Sequence, residues 1–295
     1  MSDALDSNVV VLYHDNCPDG FGAAWSFWKK YGNSAKYIPV RHGEPPPEVS
    51  KLNVFIVDFS YSKKILLSMK KKAESLVVLD HHISAKKELD GLDFCHFDMD
   101  HSGAYLAWDH LFGDSNVAPL VLYIEDRDLW KWELPNSNAI LSAIDSYERN
   151  FECWDNLNNM LSLDHTTPDV SWGFNKLKSE GEAILRYKNS IIESILEDSL
   201  SMDICGEIIP AVNSPFFRSE LGALLARNSN FSAVYYFDGE RYIFSLRSTD
   251  AGADVSEIAK SFGGGGHKNA AGFSSLSIDE FFVGVENNES KKRNK

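Results

Sequence analysis

The chain has 295 residues, which is long enough for two domains that each have a hydrophobic core. Hydrophobic residues make up 43% and charged residues 24%, as is typical of a soluble globular protein. The formal net charge of −14 disfavours binding along a long nucleic acid, because such affinity comes from neutralising many phosphates. It does not exclude a small phosphate ligand held in a local pocket.

The cysteines and the start of the chain indicate a reducing compartment. No two of the four cysteines form a close pair, so neither a zinc ribbon nor a disulfide framework is expected. The first residues lack a basic segment, and the first apolar run, residues 9–13, is too short for a signal peptide or a membrane span. We therefore predict a cytoplasmic protein without a membrane partner. Its polar residues 286–295 are expected to form a disordered tail.

The first half of the chain alternates strand-like and helix-like segments. Strands are predicted at residues 9–13, 37–40, 54–57 and 76–79, and helices at residues 21–31, 62–75, 102–112 and 118–126. This alternation predicts a parallel sheet with right-handed crossovers.

The second half has a different pattern. A long amphipathic helix is predicted at 171–200, followed by strands at 204–212, 231–237 and 242–246 and a short helix at 255–262. The fold class is therefore α/β, with an N-terminal parallel-sheet domain, a helical connector and a smaller C-terminal α/β domain. The predicted boundaries are 1–170, 171–203, 204–285 and the tail 286–295.

Three of the predicted strands end in histidine and aspartate. The first runs into His14, Asp15 and Asp19, another into Asp58, and a third into the Asp80-His81-His82 cluster, written here as residues 80–82. Open α/β sheets bind ligands at the carboxyl ends of their strands, so these side chains are expected to share one site. Imidazole and carboxylate together suit Zn²⁺, Mn²⁺ or Fe²⁺.

These motifs resemble those of the DHH phosphoesterases, the superfamily of the RecJ exonucleases, the NrnA and NrnB nanoRNases and the family II pyrophosphatases. The N-terminal motifs are residues 14–19, Asp58, residues 80–82 and residues 126–128. The C-terminal string at residues 263–273 resembles the DHH-associated substrate domain of the RecJ and NrnA branch. Together they span residues 9–273.

The resemblance implies two divalent ions, usually Mn²⁺, with Mg²⁺ or Co²⁺ as substitutes. The implied metal ligands are His14, Asp19, Asp58, His81 and Asp126, with Asp58 bridging the ions. Asp80 is expected to orient a histidine. His82 is expected to lie near the scissile phosphate, where it stabilises charge or donates a proton.

The first motif departs from the family pattern. The family usually has two aspartates separated by one residue, and here Cys17 stands at the earlier position, before Asp19. Asp15, Asn16 or water are the alternatives for completing that ion's ligand shell. For the motif at 126–128 we expect Asp126 to be the ligand, with Asp128 as the alternative.

The glycine-rich stretch is expected to bind phosphate. Successive glycines let backbone N–H groups approach an anion and form a nest, and a histidine and a lysine follow directly. Arg247 resembles the family's substrate-clamping arginine, and its planar guanidinium suits phosphate oxygens. The expected substrate-binding residues are Arg247, Gly264, Gly265, Gly266, His267 and Asn269.

The function that this pattern favours is metal-dependent phosphodiester hydrolysis of short oligonucleotides or linear dinucleotides to nucleoside monophosphates. The expected partner is that substrate, with a second copy of the chain in a homodimer as a further option. Binding to a long nucleic acid is not expected. One alternative is a phosphatase for adenosine bisphosphate or polyphosphate. The other is a nucleotide-binding protein without catalysis, which Cys17 in place of an aspartate would favour.

Overall fold

The computed structural model describes residues 8–15, 17–41, 43–162 and 168–283. The chain divides into two compact units, with the boundary between Leu185 and Arg186. In the described ranges, helices that combine the length and the apolarity needed to cross a membrane are absent. The predicted tail at 286–295 and the alternative ligand Asn16 lie outside the described residues.

The first unit contains a five-stranded parallel sheet in the order β2-β1-β3-β4-β5. The strands are β1 (Val9–His14), β2 (Lys36–Val40), β3 (Asn53–Val57), β4 (Ser75–Asp80) and β5 (Cys95–Phe97). The predicted parallel sheet is thus confirmed. Because β2 lies on one side of β1 and β3 on the other, the strand order reverses between β1 and β3, which is where open sheets of this kind bind ligands.

Eight helices connect and cover these strands in the described part of the first unit and the segment that follows it. They are α1 (Pro18–Tyr31), α2 (Lys63–Lys72), α3 (Ile83–Leu89), α4 (Gly103–Phe112), α5 (Pro119–Asp128), α6 (Ser137–Ser146), α7 (Phe151–Leu161) and α8 (Pro168–Glu197). The unit boundary falls inside α8. One face of the sheet packs against the apolar side of α2, and the other contributes to a cluster with α1 and α4. With both faces covered, the strands read as continuous apolar runs.

The turn from β1 into α1 brings the two elements unusually close. A Cβ at Gly20 would lie 2.4 Å from the carbonyl oxygen of His14, so only glycine fits there. Pro18 occupies the first turn of α1, where its missing N–H costs nothing. This packing fixes Asp19, in the first turn of α1, against the end of β1.

The second unit contains a six-stranded mixed sheet in the order β10-β11-β9-β8-β7-β6. Its strands are β6 (Leu200–Ile204), β7 (Glu207–Asn213), β8 (Ser232–Phe237), β9 (Tyr242–Arg247), β10 (Gly265–His267) and β11 (Ala270–Ser275), and its short helices are α9 (Arg218–Ala226) and α10 (Val255–Ser261). Only β7 and β8 pair in parallel in this described sheet. The α/β fold class of both units is therefore confirmed.

Some predicted elements were wrong in detail. The single strand expected at 204–212 is a hairpin of β6 and β7, because Cys205 and Gly206 both have positive φ and form a two-residue turn. The long helix ends at Glu197, so part of the expected connector 171–203 is strand β6. The helix expected at 62–75 ends at Lys72, because Ser75 already pairs in β4. Elements α3, β5, α6, α7, α9, β10 and β11 were not predicted.

Candidate metal centre

The strand ends of the first unit place histidine and aspartate side chains next to one another. His14 is the last residue of β1, Asp58 follows β3, and Asp80 is the last residue of β4. His81 and His82 come directly after it. Because β1, β3 and β4 are neighbours in the sheet, their carboxyl ends form one edge. The expectation that these motifs share one site agrees with this geometry.

Asp58 lies at the middle of the cluster. Its Oδ1 is 3.3 Å from Nε2 of His81, and its Oδ2 is 3.6 Å from Nδ1 of His14. The residue is 1% exposed, and Oδ2 has no hydrogen-bond partner. Burial disfavours the ionised form, but the two histidines outweigh it and lower the pKa of Asp58. A buried carboxylate oxygen without a donor is costly unless a cation faces it.

The backbone of Asp58 is itself unusual. Its φ of 62° lies in the left-handed region, which aspartate tolerates better than most residues. Its N–H donates to the carbonyl of Leu79 across the sheet at 3.0 Å. Strained backbone of this kind concentrates at functional sites, where the surrounding structure holds it in place.

Asp19 is held by the start of α4. Its carboxylate accepts the N–H of Gly103 at 2.6 Å and that of Ala104 at 2.9 Å. A Cβ at Gly103 would lie 2.6 Å from Cβ of Asp58, so this close approach requires glycine. Burial, and then the charges of Asp58 and Asp128, raise the pKa of Asp19. The crowding of carboxylates around a buried position is what a bound dication would relieve.

His81 joins the two parts of the cluster. Besides Asp58, its Nε2 lies 3.7 Å from Oδ2 of Asp19 and 3.6 Å from Oδ2 of Asp128. The structure therefore places Asp128 beside this histidine. The Asp126 carboxylate instead accepts the N–H groups of Glu133 and Leu134 at 2.8 and 3.4 Å. The expectation that Asp126 is the ligand does not fit this arrangement, because its carboxylate is directed to the loop after α5 and is in none of the metal-ligand groups among the described residues.

Asp80 and His82 form a separate pair at the edge of the cluster. Nδ1 of His82 lies 2.7 Å from Oδ1 of Asp80, whose Oδ2 accepts the hydroxyl of Ser60 at 2.5 Å. Burial works against the charged ring, but the hydrogen bond and charge of Asp80 outweigh it and raise the pKa of His82 to about 9. The expected role of Asp80 in orienting a histidine agrees with this geometry.

The first motif differs from what was expected. The Asp15 carboxylate forms a salt bridge with Arg41 at 2.9 Å and is in none of the metal-ligand groups found among the described residues. Cys17 does lie in such a group, with His14 and Asp58. Burial, and then Asp58 and Asp19, raise the pKa of its thiol, so without a metal ion the sulfur is protonated.

The donor set fits divalent metal ions. In the described part of the chain, three overlapping groups bring ligand atoms within 4.8 Å of one another: His14 with Cys17 and Asp58, Asp58 with His81 and His82, and Asp19 with His81 and Asp128. The group of His14, Cys17 and Asp58 has no residue in common with the group of Asp19, His81 and Asp128, so the two could each hold an ion. Mixed imidazole and carboxylate donors, together with the unpaired Asp58 oxygen, fit the metal dependence of the DHH phosphoesterases.

The second unit holds Arg247 in a defined position. Its guanidinium donates to the hydroxyl of Ser219 and to the carbonyl of Leu246, at 2.8 and 2.9 Å. Burial, and then the charge of Arg218, lower its pKa. Across the described residues, carboxylates within 4 Å of this guanidinium are absent. A partly buried cation of this kind, with another arginine nearby, suits an anionic ligand.

The glycine-rich stretch is more regular than a phosphate nest. The N–H groups of Gly263 and Gly264 donate to the carbonyls of Lys260 and Ala259, which end α10. Gly265 and Gly266 then belong to strand β10, which pairs with β11. The amide of Gly264 is therefore not available to an anion, contrary to expectation. Residues 265–267 of the edge strand are exposed.

Asn269 also has a structural partner. Its side-chain amide donates to Oδ1 of Asp250 at 2.6 Å, and its backbone carbonyl accepts the backbone N–H of Ser248 at 3.1 Å. These bonds tie the β10–β11 turn to the loop after β9, where Arg247 ends the strand. Asn269 thus positions the loop next to Arg247, which is a different role from direct substrate contact.

Four residues of the site were missed from the sequence as functional positions. They are Gly103, Cys17, Arg218 and Ser219, and Asp128 was only the alternative to Asp126. The signal for Gly103 was the serine–glycine pair at the start of a predicted helix, which also marks a helix N-terminus. Nothing in the sequence shows that its N–H faces Asp19.

One comparison with known proteins matches part of the second unit, and another matches most of the chain. Residues 219–282 match the DHHA1 domain family. The chain is 31% identical over 291 residues to the uncharacterized protein R106 of Acanthamoeba polyphaga mimivirus, covering 90% of this chain and 67% of that protein.

Two solved structures are similar to this chain over most of their length. One is a pGpG-specific phosphodiesterase, PggH, from Vibrio cholerae, with 14% identity, a TM-score of 0.51 and coverage of 92% of this chain and 94% of that chain. The other is the DHH domain of a protein described as a member of a family of ribosomal proteins, with 14% identity, a TM-score of 0.50 and coverage of 95% and 84%. At such identities the likeness concerns the fold.

Proposed function

We propose that this chain, in which residues 219–282 match the DHHA1 domain family, is a DHH phosphoesterase that hydrolyses the phosphodiester bonds of short oligonucleotides or linear dinucleotides. The proposed products are nucleoside monophosphates. The proposed cofactor is a pair of divalent cations, with Mn²⁺ as the first ion to test.

One observation carries this proposal. The buried Asp58 carboxylate lies between His14 and His81, and its Oδ2 has no hydrogen-bond partner, at an edge where two separate donor groups meet. Asp58 is the residue that both ions would share in the family's arrangement. His14 would hold one ion, and His81 with Asp19 and Asp128 would hold the other.

The protein's own residues prepare the reacting phosphate. Two nearby dications lower the pKa of a bound water and stabilise the attacking and leaving oxygens of a phosphoryl group. Asp80 holds the ring of His82 in one orientation through Nδ1. With its pKa raised to about 9, that ring is positively charged at neutral pH and can donate a proton to a leaving oxygen.

The DHHA1 domain is proposed to recognise the phosphate or the end of the substrate. Arg247 lacks a carboxylate partner in the described part of the chain and is held in place by Ser219, so its guanidinium is oriented before a ligand arrives. Hydrogen bonds from arginine to phosphate are charge-assisted and often bidentate. His267, on the exposed edge strand, is the second candidate.

Short substrates are favoured by charge. The chain has 43 acidic and 29 basic residues, so a long strand would lie along a surface that mostly repels it. A dinucleotide needs only the metal ions and a few cationic side chains. The Vibrio protein with this fold is named for pGpG, a linear dinucleotide, and this substrate class is therefore the first to test.

Product analysis tests the proposal. The purified chain, loaded with Mn²⁺, is incubated with linear dinucleotides, longer oligonucleotides, adenosine bisphosphate and polyphosphate, and the products are identified by mass spectrometry. Diester cleavage gives two nucleotides from a dinucleotide, whereas monoester cleavage gives orthophosphate. Orthophosphate alone would identify a phosphatase, and unchanged substrates with every ion would indicate a binding protein.

A further inference from the structure

Cys17 occupies a defined place in the metal centre. It is the residue before α1, between the end of β1 and the buried Asp19. Its sulfur, a nitrogen of His14 and an oxygen of Asp58 all lie within 4.8 Å of one another. His14 and Cys17 come from the end of β1 and its connection to α1, and Asp58 follows the end of β3, so the fold brings the third donor to the other two.

A second, independent observation points to a ligand at this position. Oδ2 of Asp58 is buried without a hydrogen bond and lies 3.6 Å from Nδ1 of His14, on the side of the carboxylate that faces this group. A buried, unpaired carboxylate oxygen is stabilised by a cation. A cation bound at this carboxylate would therefore lie within reach of the Cys17 sulfur as well.

Asp15, the acidic residue two positions before Cys17, is committed to another partner. The Asp15 carboxylate is paired with the guanidinium of Arg41 at 2.9 Å, and Asp15 is in none of the metal-ligand groups among the described residues. The Cys17 sulfur, by contrast, lies in a metal-ligand group with His14 and Asp58.

We propose that the Cys17 sulfur is a metal ligand. The two metal positions of this protein then differ in the softness of their donor atoms, because only one of them includes a sulfur. The position of His14, Cys17 and Asp58 offers nitrogen, sulfur and oxygen, and selects Zn²⁺, Co²⁺ or Fe²⁺ over Mn²⁺. The position of Asp19, His81 and Asp128 offers one nitrogen and two carboxylates, and accepts Mn²⁺. As the bond between sulfur and metal forms, the thiol proton leaves to solvent.

This inference rests on the proposed function only in needing a metal centre, and spectroscopy tests it without any substrate. The metal-free whole chain is titrated with Co²⁺, and a sulfur-to-cobalt charge-transfer band in the near ultraviolet reports a cobalt–thiolate bond. We expect this band in the wild type and its loss in Cys17→Ser and Cys17→Asp. Cys95→Ser, which removes another partly buried cysteine of the same unit, is the matched control and retains the band.

Serine and aspartate are favoured at the position before a helix, so both variants are expected to fold, as checked by circular dichroism. Metal analysis after equilibration with equal Zn²⁺ and Mn²⁺ gives the second readout. The Cys17→Asp variant is expected to shift the ratio toward Mn²⁺ by roughly 10-fold or more.

The outcomes separate this inference from the proposed function. Cobalt bound to the wild type without the charge-transfer band, or a band that survives in Cys17→Ser, overturns the sulfur ligand and leaves the metal centre intact. A wild-type protein that binds neither cobalt, zinc nor manganese overturns both. An unchanged ratio of bound Zn²⁺ to bound Mn²⁺ in Cys17→Asp contradicts the difference in donor softness between the two positions.

Discussion

Nδ1 of His82 lies 2.7 Å from Oδ1 of Asp80, and the same oxygen accepts the backbone N–H groups of His81 and His82. One buried carboxylate therefore fixes both the histidine ring and the turn that carries it. The Asp80-His81-His82 motif is thus one structural unit, in which Asp80 positions the two histidines at the proposed metal centre.

The Asp80→Ala variant is expected to stay folded and to lose hydrolysis by roughly 10²-fold or more, because the His82 ring is no longer held in its charged form. His81→Ala is expected to lose activity together with bound metal. Steady-state rates and metal analysis of the same preparations separate the two effects. Asp90→Ala, at an exposed position after α3, is the control. Near wild-type turnover in Asp80→Ala would refute the role given to His82.

Asp126 and Asp128 are expected to fail in different ways when each is replaced by alanine. Asp128→Ala removes a carboxylate 3.6 Å from His81 and should lower metal affinity with little change in stability. Asp126→Ala leaves the amides of Glu133 and Leu134 unpaired and should cost about 1–3 kcal/mol in the free energy of unfolding. Metal titration and urea unfolding of both variants check this. The reverse pattern would restore Asp126 as the ligand.

Gly103→Ala is expected to disrupt the centre although it changes no donor atom. The new Cβ would meet Cβ of Asp58 at 2.6 Å and Oδ2 of Asp19 at 2.9 Å, so both carboxylates must shift. Metal affinity and activity should fall together. Gly265→Ala, where nothing lies within 4 Å of the added Cβ, is the matched control and should bind metal normally. Unaltered metal affinity in Gly103→Ala would show that the approach of α4 to Asp58 is looser than described.

Arg247→Ala and His267→Ala are expected to weaken substrate use while the metal content stays unchanged. A lost arginine–phosphate contact costs about 1.5–3 kcal/mol, mainly as a higher KM or a lower kcat/KM. Arg241→Ala, an exposed arginine in the hairpin of the same sheet, serves as the control. A fall in metal content to the level of an Asp58→Asn variant would disprove the assignment of these residues to substrate binding.

The sequence was most informative where a buried apolar run ends in histidine or aspartate. The ends of β1, β3 and β4 were visible because each buried run stops at histidine or aspartate, and parallel strands bring such ends together. The sequence analysis favoured Asp126 over Asp128, and the geometry favours Asp128. Both lie in the last turn of α5, and only the loop that folds back onto Asp126 determines which carboxylate bonds to the backbone.

The second unit was harder to predict for the same kind of reason. The run at 204–212 looked like one strand because a cysteine and a glycine inside it gave no usual turn signal, although both adopt positive φ. The glycines at 263–266 looked like a nest. The amides of Gly263 and Gly264 are instead used by the end of α10, and Gly265 and Gly266 belong to β10, which pairs with β11.

The central claim, metal-dependent hydrolysis of short nucleotides, is tested most directly by comparing initial rates on a linear dinucleotide and on a single strand of roughly 30 residues, at matched concentrations of ends. The Asp58→Asn variant serves as the blank, since asparagine tolerates the positive φ at this position. We expect the dinucleotide to be cleaved much faster, to two nucleoside monophosphates, only with a divalent ion and only by the wild type. Equal or faster cleavage of the long strand, or cleavage by Asp58→Asn, would contradict the account.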